Sequence, residues 1–393
     1  MITKNKKEGI KTMKIKNLKL IAAASVILVS SLFSKELAST SVSSKATQRV
    51  LNGENQSPGI SVLNINNIAY WIGKDGAYTT AGSPNGTMAD YPIFTGGFIY
   101  SDGMLWGAKV KGDGQGDEVR VGGSTYYHGL KAGRIITDAN GAVLGSDDPV
   151  NNHVWRVRKD YASADLTVDA ANYYAVGTGD VTAAQIAVVK NQYEYDWYNW
   201  PAAWGAPYHD VNGDGSYDPD VDVPGYPGAD QTMWTIANDV PLIVDAAGDS
   251  IGYSNTAPSL YGADPIGIEL QITLWGYAFG ASDPLGNNIF KQAKMKYMGL
   301  PGTPDGAMLD SLYFTQWSDP DLGTYTDDYV GCDIDLSFGY VYNGNRLDGV
   351  FNGIFNLPVP AGGYDFLQGP PAVSYTHLRA HETGRNLVCR LLL

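Results

Sequence analysis

The sequence is poor in cysteine, and this limits how the fold can be held together. The 393 residues contain two cysteines, Cys332 and Cys389, and the second lies in a C-terminal stretch that is treated separately below. A disulfide within the folded region is therefore excluded, so its stability must come from a hydrophobic core and from bound metal. Because no histidine lies near Cys332 in the sequence, we expect this thiol to be a small, buried packing residue.

Positive charge is also scarce. The chain has 27 Lys and Arg against 41 Asp and Glu, a formal net charge of −14. Residues 1–39 and 373–393 hold eight and three of the basic residues and two and one of the acidic ones, which leaves 16 against 38, a charge near −22, between them. Such a field repels nucleic acid and anionic membranes and attracts cations. Nucleic acid is therefore excluded as a partner.

Glutamate is rare as well, and the acidic residues of the central region are almost all aspartate. Aspartate favours turns, caps and metal-binding loops, whereas glutamate is a good helix former. The chain also contains 47 Gly, 20 Pro and 26 Tyr. This composition predicts a β-rich, loop-rich protein with little helix.

A long apolar run occurs only near the N-terminus. The run Leu20–Phe33 follows a basic stretch and precedes small residues near Ala38, and it is shorter than the roughly 20 residues that span a bilayer. Residues 1–39 are therefore predicted to be a Sec signal peptide, with 1–12 as an upstream mis-start. Residues 40–61 would be a flexible leader. We expect a secreted or cell-surface protein with no transmembrane segment in its mature form.

The last segment, residues 373–393, differs from everything before it. It is rich in Leu and Arg, and its blocks "VSYTHLRAHET" and "LVCRLLL" resemble the conceptual translation of a sequencing-library adapter. We therefore expect this tail to be non-native read-through, with the native C-terminus and any downstream domain lost after Ala372.

The region 62–372 shows short β-like runs separated by Gly, Asp and Asn turns, and it is long enough for one large or two small domains. In Ile266–Leu274 five apolar residues alternate with Gly267, Glu269, Gln271 and Thr273, as in a strand with one wet face. Residues 289–299 should pair with it, and 309–317 and 336–344 should extend the same sheet. One helix is predicted over 181–192, capped by Asp180. The expected fold is mainly β, an antiparallel β-sandwich with long Asp/Gly-rich loops and at most one or two short helices.

The stretch "YHDVNGDGSYDPDVD", residues 208–222, carries the clearest chemical pattern. Its spacing matches D-x-[DN]-x-[DN]-G, in which alternate residues direct oxygen atoms at one Ca²⁺ ion and the glycine permits a sharp turn. Pro219 and Val221 replace the end of an EF-hand loop, which favours a structural calcium loop over a switch. Oxygen-only ligands favour Ca²⁺ over zinc or copper. The predicted ligands are Asp210, Asn212, Asp214, Ser216, Asp218 and Asp222.

A second acidic segment, "WSDPDLGTYTDDYVGCDID", lacks the two-residue spacing. It could hold a second cation, or its aspartates could cap turns between two strands. The residues in question are Asp319, Asp321, Asp327, Asp328 and Asp333.

The aromatic run "YEYDWYNWPAAW", residues 193–204, has two interpretations. Exposed rings could stack on sugars, and aromatic residues beside a loop also cover a core. No nucleophile motif, phosphate loop or metal-spaced histidine set is present, and the sequence cannot place a carboxylate pair for glycoside hydrolysis. Catalysis is therefore disfavoured without being excluded. The possible sugar-stacking residues are Tyr195, Trp197, Trp200 and Trp204.

The order of several motifs is familiar. "NINNIAYWIGKDG", "GMLWGAKVKG", "GIELQITLWGYAF" and "GYDFLQGP", together with the two Asp-rich segments, resemble a group of uncharacterised secreted proteins of Gram-negative bacteria. Members of that group carry a C-terminal type IX secretion sorting domain, which is absent here. The resemblance covers about residues 62–372 and implies secretion and a multidomain architecture, but no activity.

Two functions remain at this point. The first is a secreted, non-catalytic, calcium-stabilised β-sandwich module of a larger exported or cell-surface protein, with a structural or adhesive role and glycans or proteins of the cell surface as partners. The alternative is an exported carbohydrate-binding or polysaccharide-degrading protein that uses the aromatic run.

Overall fold

The computed structural model describes residues 59–76, 83, 85–147, 152–240 and 260–369, and the backbone of 385–392. The expected signal peptide and most of the expected leader lie outside these residues, and the first strand begins at Ile60. No described helix is long and apolar enough to cross a bilayer.

The largest sheet has nine strands, and all of its pairings are antiparallel. Its order is β10 (Trp155–Arg158), β13 (Gln231–Asn238), β14 (Ile268–Gly276), β15 (Asn288–Tyr297), β20 (Arg385–Leu392), β19 (Ala361–Gln368), β18 (Phe338–Asn343) and β17 (Asp328–Asp333), with β7 (Lys131–Ala132) also paired to β13. Strand β20 comes from the C-terminal tail 373–393, which we expect to be non-native, and its backbone lies between β15 and β19.

Smaller sheets surround this one in the described part of the chain. One contains β1 (Ile60–Leu63), β2 (Ala69–Gly73), β3 (Ala89–Asp90) and β4 (Gly97–Ile99). Another has the order β16 (Met308–Asp319), β5 (Ser101–Lys111), β6 (Val119–Gly123). Two-stranded pairs join β8 (Ile135–Thr137) to β9 (Val143–Ser146) and β11 (Tyr208–His209) to β12 (Val223–Pro224). The two α-helices are α1 (Thr167–Tyr174) and α2 (Ala183–Tyr198).

The main core lies between the nine-stranded sheet and the sheets built on β1–β4 and on β5. Side chains of β13, β14 and β15 meet those of the opposing layer, including Tyr70, Phe98, Met104 and Trp106. Burial of such apolar surface is the main stabilising contribution to a sandwich of this kind. The predicted fold class, mainly β and sandwich-like with two helices, is confirmed.

Strand β14 confirms the predicted alternation, but the prediction that one face of this strand is exposed to solvent is wrong. Each of the five predicted core residues is 1 % exposed, namely Ile266, Ile268, Leu270, Ile272 and Leu274. On the opposite face, however, Glu269 is 6 % and Thr273 2 % exposed. The second face of β14 is therefore buried by other residues rather than exposed to solvent.

A second apolar cluster provides this cover. Trp155 of β10 and Trp234 of β13 pack with Trp200 and Ala206 from the segment that follows α2. The side chain of Gln271 donates a hydrogen bond of 2.9 Å to the Trp204 carbonyl in the same layer. The central sheet is therefore covered on both faces, which periodicity within one strand could not reveal.

The predicted helix exists, but its start was placed wrongly. Thr182, not Asp180, caps α2: the Thr182 hydroxyl accepts the Gln185 N–H at 3.2 Å, and the Gln185 side chain accepts the Thr182 N–H at 2.8 Å. This reciprocal capping box satisfies two N–H groups of the first turn. The helix also continues to Tyr198, so it contains half of the aromatic run.

Two further expectations for the C-terminal half are wrong. Residues 309–317 lie in β16, which pairs with β5 in the separate three-stranded sheet, whereas 336–344 does extend the main sheet as β18. Cys332 is exposed rather than buried. It lies on β17, the last strand in the order of the main sheet, where one side of the strand has no neighbouring strand in the described residues.

Candidate functional site

The Asp-rich stretch 210–222 forms a loop between two very short strands. Tyr208 pairs with Pro224, and His209 pairs with Val223. No helix flanks the loop directly, which agrees with the sequence-based distinction from an EF-hand. The loop is therefore an extension of a hairpin, held at its base by two residue pairs.

The first half of the loop is wrapped around Asp210. Its carboxylate accepts the backbone N–H of Gly213 at 2.7 Å and that of Gly215 at 2.8 Å. The two glycines have φ of 75° and 78°, the left-handed region that other residues rarely adopt. Asp210 thus holds the turn through these two hydrogen bonds, and the left-handed backbone of the turn explains why both positions are glycine.

The next predicted ligands form similar local hydrogen bonds. The Asn212 side chain accepts the Asp214 N–H at 3.1 Å, and the Asp214 carboxylate accepts the Ser216 N–H at 2.8 Å. These three residues and Asp218 are exposed to solvent. An ionised carboxylate has about four lone-pair sites, so each aspartate retains capacity for a cation beside its N–H partner.

Asp222 differs from the other predicted ligands because it is only 2 % exposed. One of its carboxylate oxygens accepts the Val211 N–H at 2.9 Å, and the other accepts the Asp218 N–H at 2.8 Å. It therefore joins the beginning of the loop to its second half. Its geometry gives it a closing role in the loop.

The loop is also attached to helix α2. The Trp197 indole N–H donates to the Pro219 carbonyl at 3.1 Å, and the Tyr217 hydroxyl donates to the Trp197 carbonyl at 2.6 Å. Any ligand that rigidifies the loop would therefore also stabilise the end of the helix.

The carboxylates of the loop have no cationic partner among the described residues. The ion pairs found there involve other aspartates, and none includes Asp210, Asp214, Asp218 or Asp222. Within the same residues, no three His, Cys, Asp or Glu side chains are grouped closely enough to hold a metal ion. The negative charge of the loop is thus not balanced by a cationic side chain, and its carboxylate oxygens are distributed along the loop rather than gathered at one point.

The second acidic segment has a different geometry. Burial, together with the nearby carboxylates of Asp319 and Asp328, raises the pKa of Asp321 to about 6. Burial also raises the pKa of Asp328, although the Leu322 N–H donates to its carboxylate at 2.7 Å. Asp319 and Asp328 are therefore both close enough to Asp321 to repel its carboxylate, and Asp327 is close enough to repel that of Asp328.

Asp333 does not join this group. It lies at the opposite end of β17 from Asp328, about 16 Å away at the usual rise of a strand. Its carboxylate accepts the Leu336 N–H at 3.1 Å and so caps the turn into β18. The five predicted residues are therefore split by the strand.

A cavity of about 530 Å³ opens beside Asp319 and Asp321. Tyr100 and Tyr325 also line it, and the Tyr126 hydroxyl donates to Asp319 at 2.6 Å. Sequence reasoning missed Tyr100 and Tyr126 because they come from segments far away in the chain, whereas Tyr325 lies within the acidic segment itself.

The four aromatic residues considered for sugar stacking do not form one surface. Trp200 is 4 % exposed and donates its indole N–H to the Pro207 carbonyl at 2.8 Å. The guanidinium of Arg134 lies 4.1 Å from the centre of the Trp204 ring. Tyr195 is 52 % exposed and lies parallel to Trp155, with ring centres 6.4 Å apart. Most of this run therefore packs against the sheet or the loop.

Comparison of the chain with protein-family models, with curated proteins and with solved structures finds no match. Its function is therefore argued from the chemistry of its own residues, since a fold alone does not determine an activity.

Proposed function

We propose that this chain is an exported, non-catalytic β-sandwich module that is stabilised by calcium and has a structural or adhesive role in a larger extracellular or cell-surface protein. The observation that carries the proposal is the loop 210–222, in which Asp214 and Asp218 face solvent and no aspartate forms an ion pair with a cationic side chain among the described residues. A dissolved Ca²⁺ ion would supply the missing positive charge.

The mechanism is a linkage between ion binding and folding. Asp210, Asn212, Asp214 and Asp218 would supply side-chain oxygens, and Ser216 would supply its carbonyl. Because the ion binds only the folded loop, it stabilises the protein by RT ln(1 + [Ca²⁺]/Kd), about 2.7 kcal/mol at 100 times Kd. The contacts of the loop with Trp197 would pass this stabilisation to helix α2.

The proposal is tested by thermal unfolding in EDTA and then in millimolar Ca²⁺, with Mg²⁺ as a second ion. We expect Ca²⁺ to raise the Tm by several degrees, and the double variant Asp210→Asn/Asp214→Asn to lose this response. The matched control is Asp138→Asn, because the Asp138 carboxylate also accepts two backbone N–H groups in a turn, from Asn140 and Ala142. An unchanged Tm in Ca²⁺, or a response that survives in the double variant, refutes the calcium loop.

The export part of the proposal rests on the basic and apolar pattern of residues 14–33 and on the family resemblance. Expression of the full chain in a Gram-negative host should give a processed protein outside the cytoplasm. N-terminal sequencing should place its first residue near Ser39. Recovery of the unprocessed chain in the cytoplasm would contradict export.

A further inference from the structure

A lysine lies on the buried face of β15, inside the main core. Strand alternation places Lys291 on the same side as Ile289, Ala293 and Met295, and all three are buried in that core. Lys291 itself is only 6 % exposed. An ammonium group in apolar surroundings is costly unless a carboxylate lies beside it. This position in the strand therefore requires a buried, negatively charged partner.

The partner of Lys291 comes from the opposite layer of the sandwich. Asp102 of β5 is 1 % exposed, and its Oδ1 atom lies 3.6 Å from Lys291 Nζ. This oxygen accepts no hydrogen bond from the residues that the structure describes. The pair therefore joins β5 to β15 across the core, and the amine nitrogen lies beside the carboxyl group.

Hydroxyl groups hold the other oxygen of this carboxylate. Tyr70 of β2 donates to Asp102 Oδ2 at 2.7 Å, and the Tyr364 hydroxyl of β19 lies 3.5 Å from the same atom. The Tyr364 hydroxyl is also hydrogen-bonded to that of Ser318, at 2.6 Å. Fixed donors at Oδ2 stabilise negative charge that develops on this atom, as an oxyanion hole does. The carboxyl group is thus held with Oδ1 next to the amine and Oδ2 next to the hydroxyl donors.

The apolar surroundings favour the uncharged forms of the two groups. Burial raises the pKa of Asp102, although Lys291 and the Tyr70 hydroxyl oppose this shift. Transfer of one proton from the ammonium group to the carboxylate gives a free amine, which is a nucleophile, and a neutral carboxyl group, which can lose water. Because the folded core holds the two groups together, the reaction has an effective molarity that reaches about 10⁵–10⁸ M in well-oriented cases.

We propose that Lys291 and Asp102 condense to an intramolecular amide, an isopeptide bond that links β5 covalently to β15. Lys291 Nζ attacks Asp102 Cγ, a C–N bond forms, and negative charge collects on Oδ2, where Tyr70 stabilises it. The Cγ–Oδ1 bond then breaks, and Oδ1 leaves as water with two protons of the original ammonium group. The third proton remains on the amide nitrogen, so the step needs no oxidant, cofactor or further reactant. The bond would form whether or not Ca²⁺ occupies the loop 210–222.

A second ion pair in the same molecule provides a matched control. Lys111 Nζ and Asp310 Oδ2 are closer to each other, at 2.5 Å, but both side chains are 42 % exposed. Water stabilises both charges at such a surface pair, so the amine stays protonated and the carboxylate stays ionised. We therefore expect this exposed pair to remain ionic although its atoms are nearer than those of the buried pair.

The test is the mass of the purified, denatured full chain, followed by peptide mapping. We expect a mass about 18 Da below that calculated for its observed termini, the loss of one water, and a branched peptide that contains both Asp102 and Lys291. Lys291→Arg keeps the positive charge but has no attacking amine, so this variant should have its full calculated mass. Lys111→Arg should still show the loss of one water.

A different product of the same mass must be distinguished, because Gly103 follows Asp102 in the chain. Attack of the Gly103 amide nitrogen on Asp102 Cγ would give a succinimide and also release one water. This product contains no branched peptide, and it would persist in Lys291→Arg. The proposal is overturned if the original chain has its full mass or if its loss of mass comes from the succinimide. Because the branched peptide is sought in the original chain, the result does not depend on how well a variant folds.

Discussion

The two Asp-rich regions contain similar residues, but their carboxylates are stabilised in one region and repel one another in the other. In the loop 210–222, backbone N–H groups within the loop donate to Asp210, Asp214 and Asp222. In the segment 319–328, carboxylates from separate turns lie close together, and burial with mutual repulsion raises the pKa of Asp321 to about 6. The hydrogen bonds of the loop join residues that are close in sequence, whereas the repulsion in the segment 319–328 depends on the tertiary fold.

This difference shows what residue spacing can encode. A two-residue repeat followed by glycine specifies a turn that forms its own hydrogen bonds, whatever the rest of the chain does. Repulsion between Asp321 and Asp319 or Asp328 depends on where β16 and β17 lie in the fold. We therefore expect the loop to lose stability when an aspartate is removed and the segment 319–328 to gain it.

The largest effect should come from Asp222→Ala. The buried carboxylate accepts one N–H from each half of the loop, and hydrogen bonds to a charged group contribute about 1.5–3 kcal/mol each. We expect a loss of about 3 kcal/mol in the free energy of unfolding at pH 7, measured by urea denaturation in EDTA. The neighbouring Asp220→Ala, at an exposed position, should cost less than about 0.5 kcal/mol. Equal losses in the two variants would contradict the closing role of Asp222.

In contrast, Asp321→Asn is expected to increase the free energy of unfolding at pH 7. The pKa of Asp321 is raised in the folded state, so between about pH 4 and pH 6 the folded protein holds a proton that the unfolded chain has lost. The stability of the original chain therefore falls as the pH rises through this window and stays lower above it. After allowance for solvent screening, the variant should be about 1–2 kcal/mol more stable at pH 7 and equally stable below about pH 4.

The measurement is urea denaturation of both chains from pH 3.5 to pH 8 in EDTA. A difference that does not change with pH would contradict the assigned pKa shift. Repetition in Ca²⁺ also tests the second predicted ion, because a cation bound by Asp319, Asp321 and Asp328 would make Asp321→Asn destabilising. The matched control is Asp305→Asn, because Asp305 is an exposed aspartate in a different loop.

The same distinction between local and tertiary information explains which parts of the fold could be predicted. The alternation in β14 and the existence of helix α2 depend on neighbouring residues, and both are present. The partner of β16 is β5, roughly 200 residues earlier in the chain, and no local pattern specifies that choice. The cap of α2 was misplaced because Asp180 and Thr182 are both good capping residues, and only the Gln185 side chain distinguishes them.

The aromatic residues show the same distinction between local and tertiary information. The run 193–204 is dense in sequence, but a helix and a following turn direct its rings into the second apolar cluster. The exposed tyrosines of the outer strands are less obvious in sequence, because Tyr329 comes from one strand and Tyr340 and Tyr342 come from the next. A signal was present in the alternation of "FGYVYN", whose three aromatic residues face one side while Val341 faces the core.

The smallest effect should come from Asp333→Asn. Asp333 lies at the far end of β17 from Asp328 and caps a local turn, so it should not take part in the repulsion around Asp321. We expect a change of less than about 0.5 kcal/mol at pH 7, with no change in the pH profile. Because sites more than about 10 Å apart without shared partners act independently, the double variant Asp321→Asn/Asp333→Asn should equal the sum of the single variants within about 0.5 kcal/mol. A larger coupling, measured by the same urea titrations, would place Asp333 within the acidic cluster.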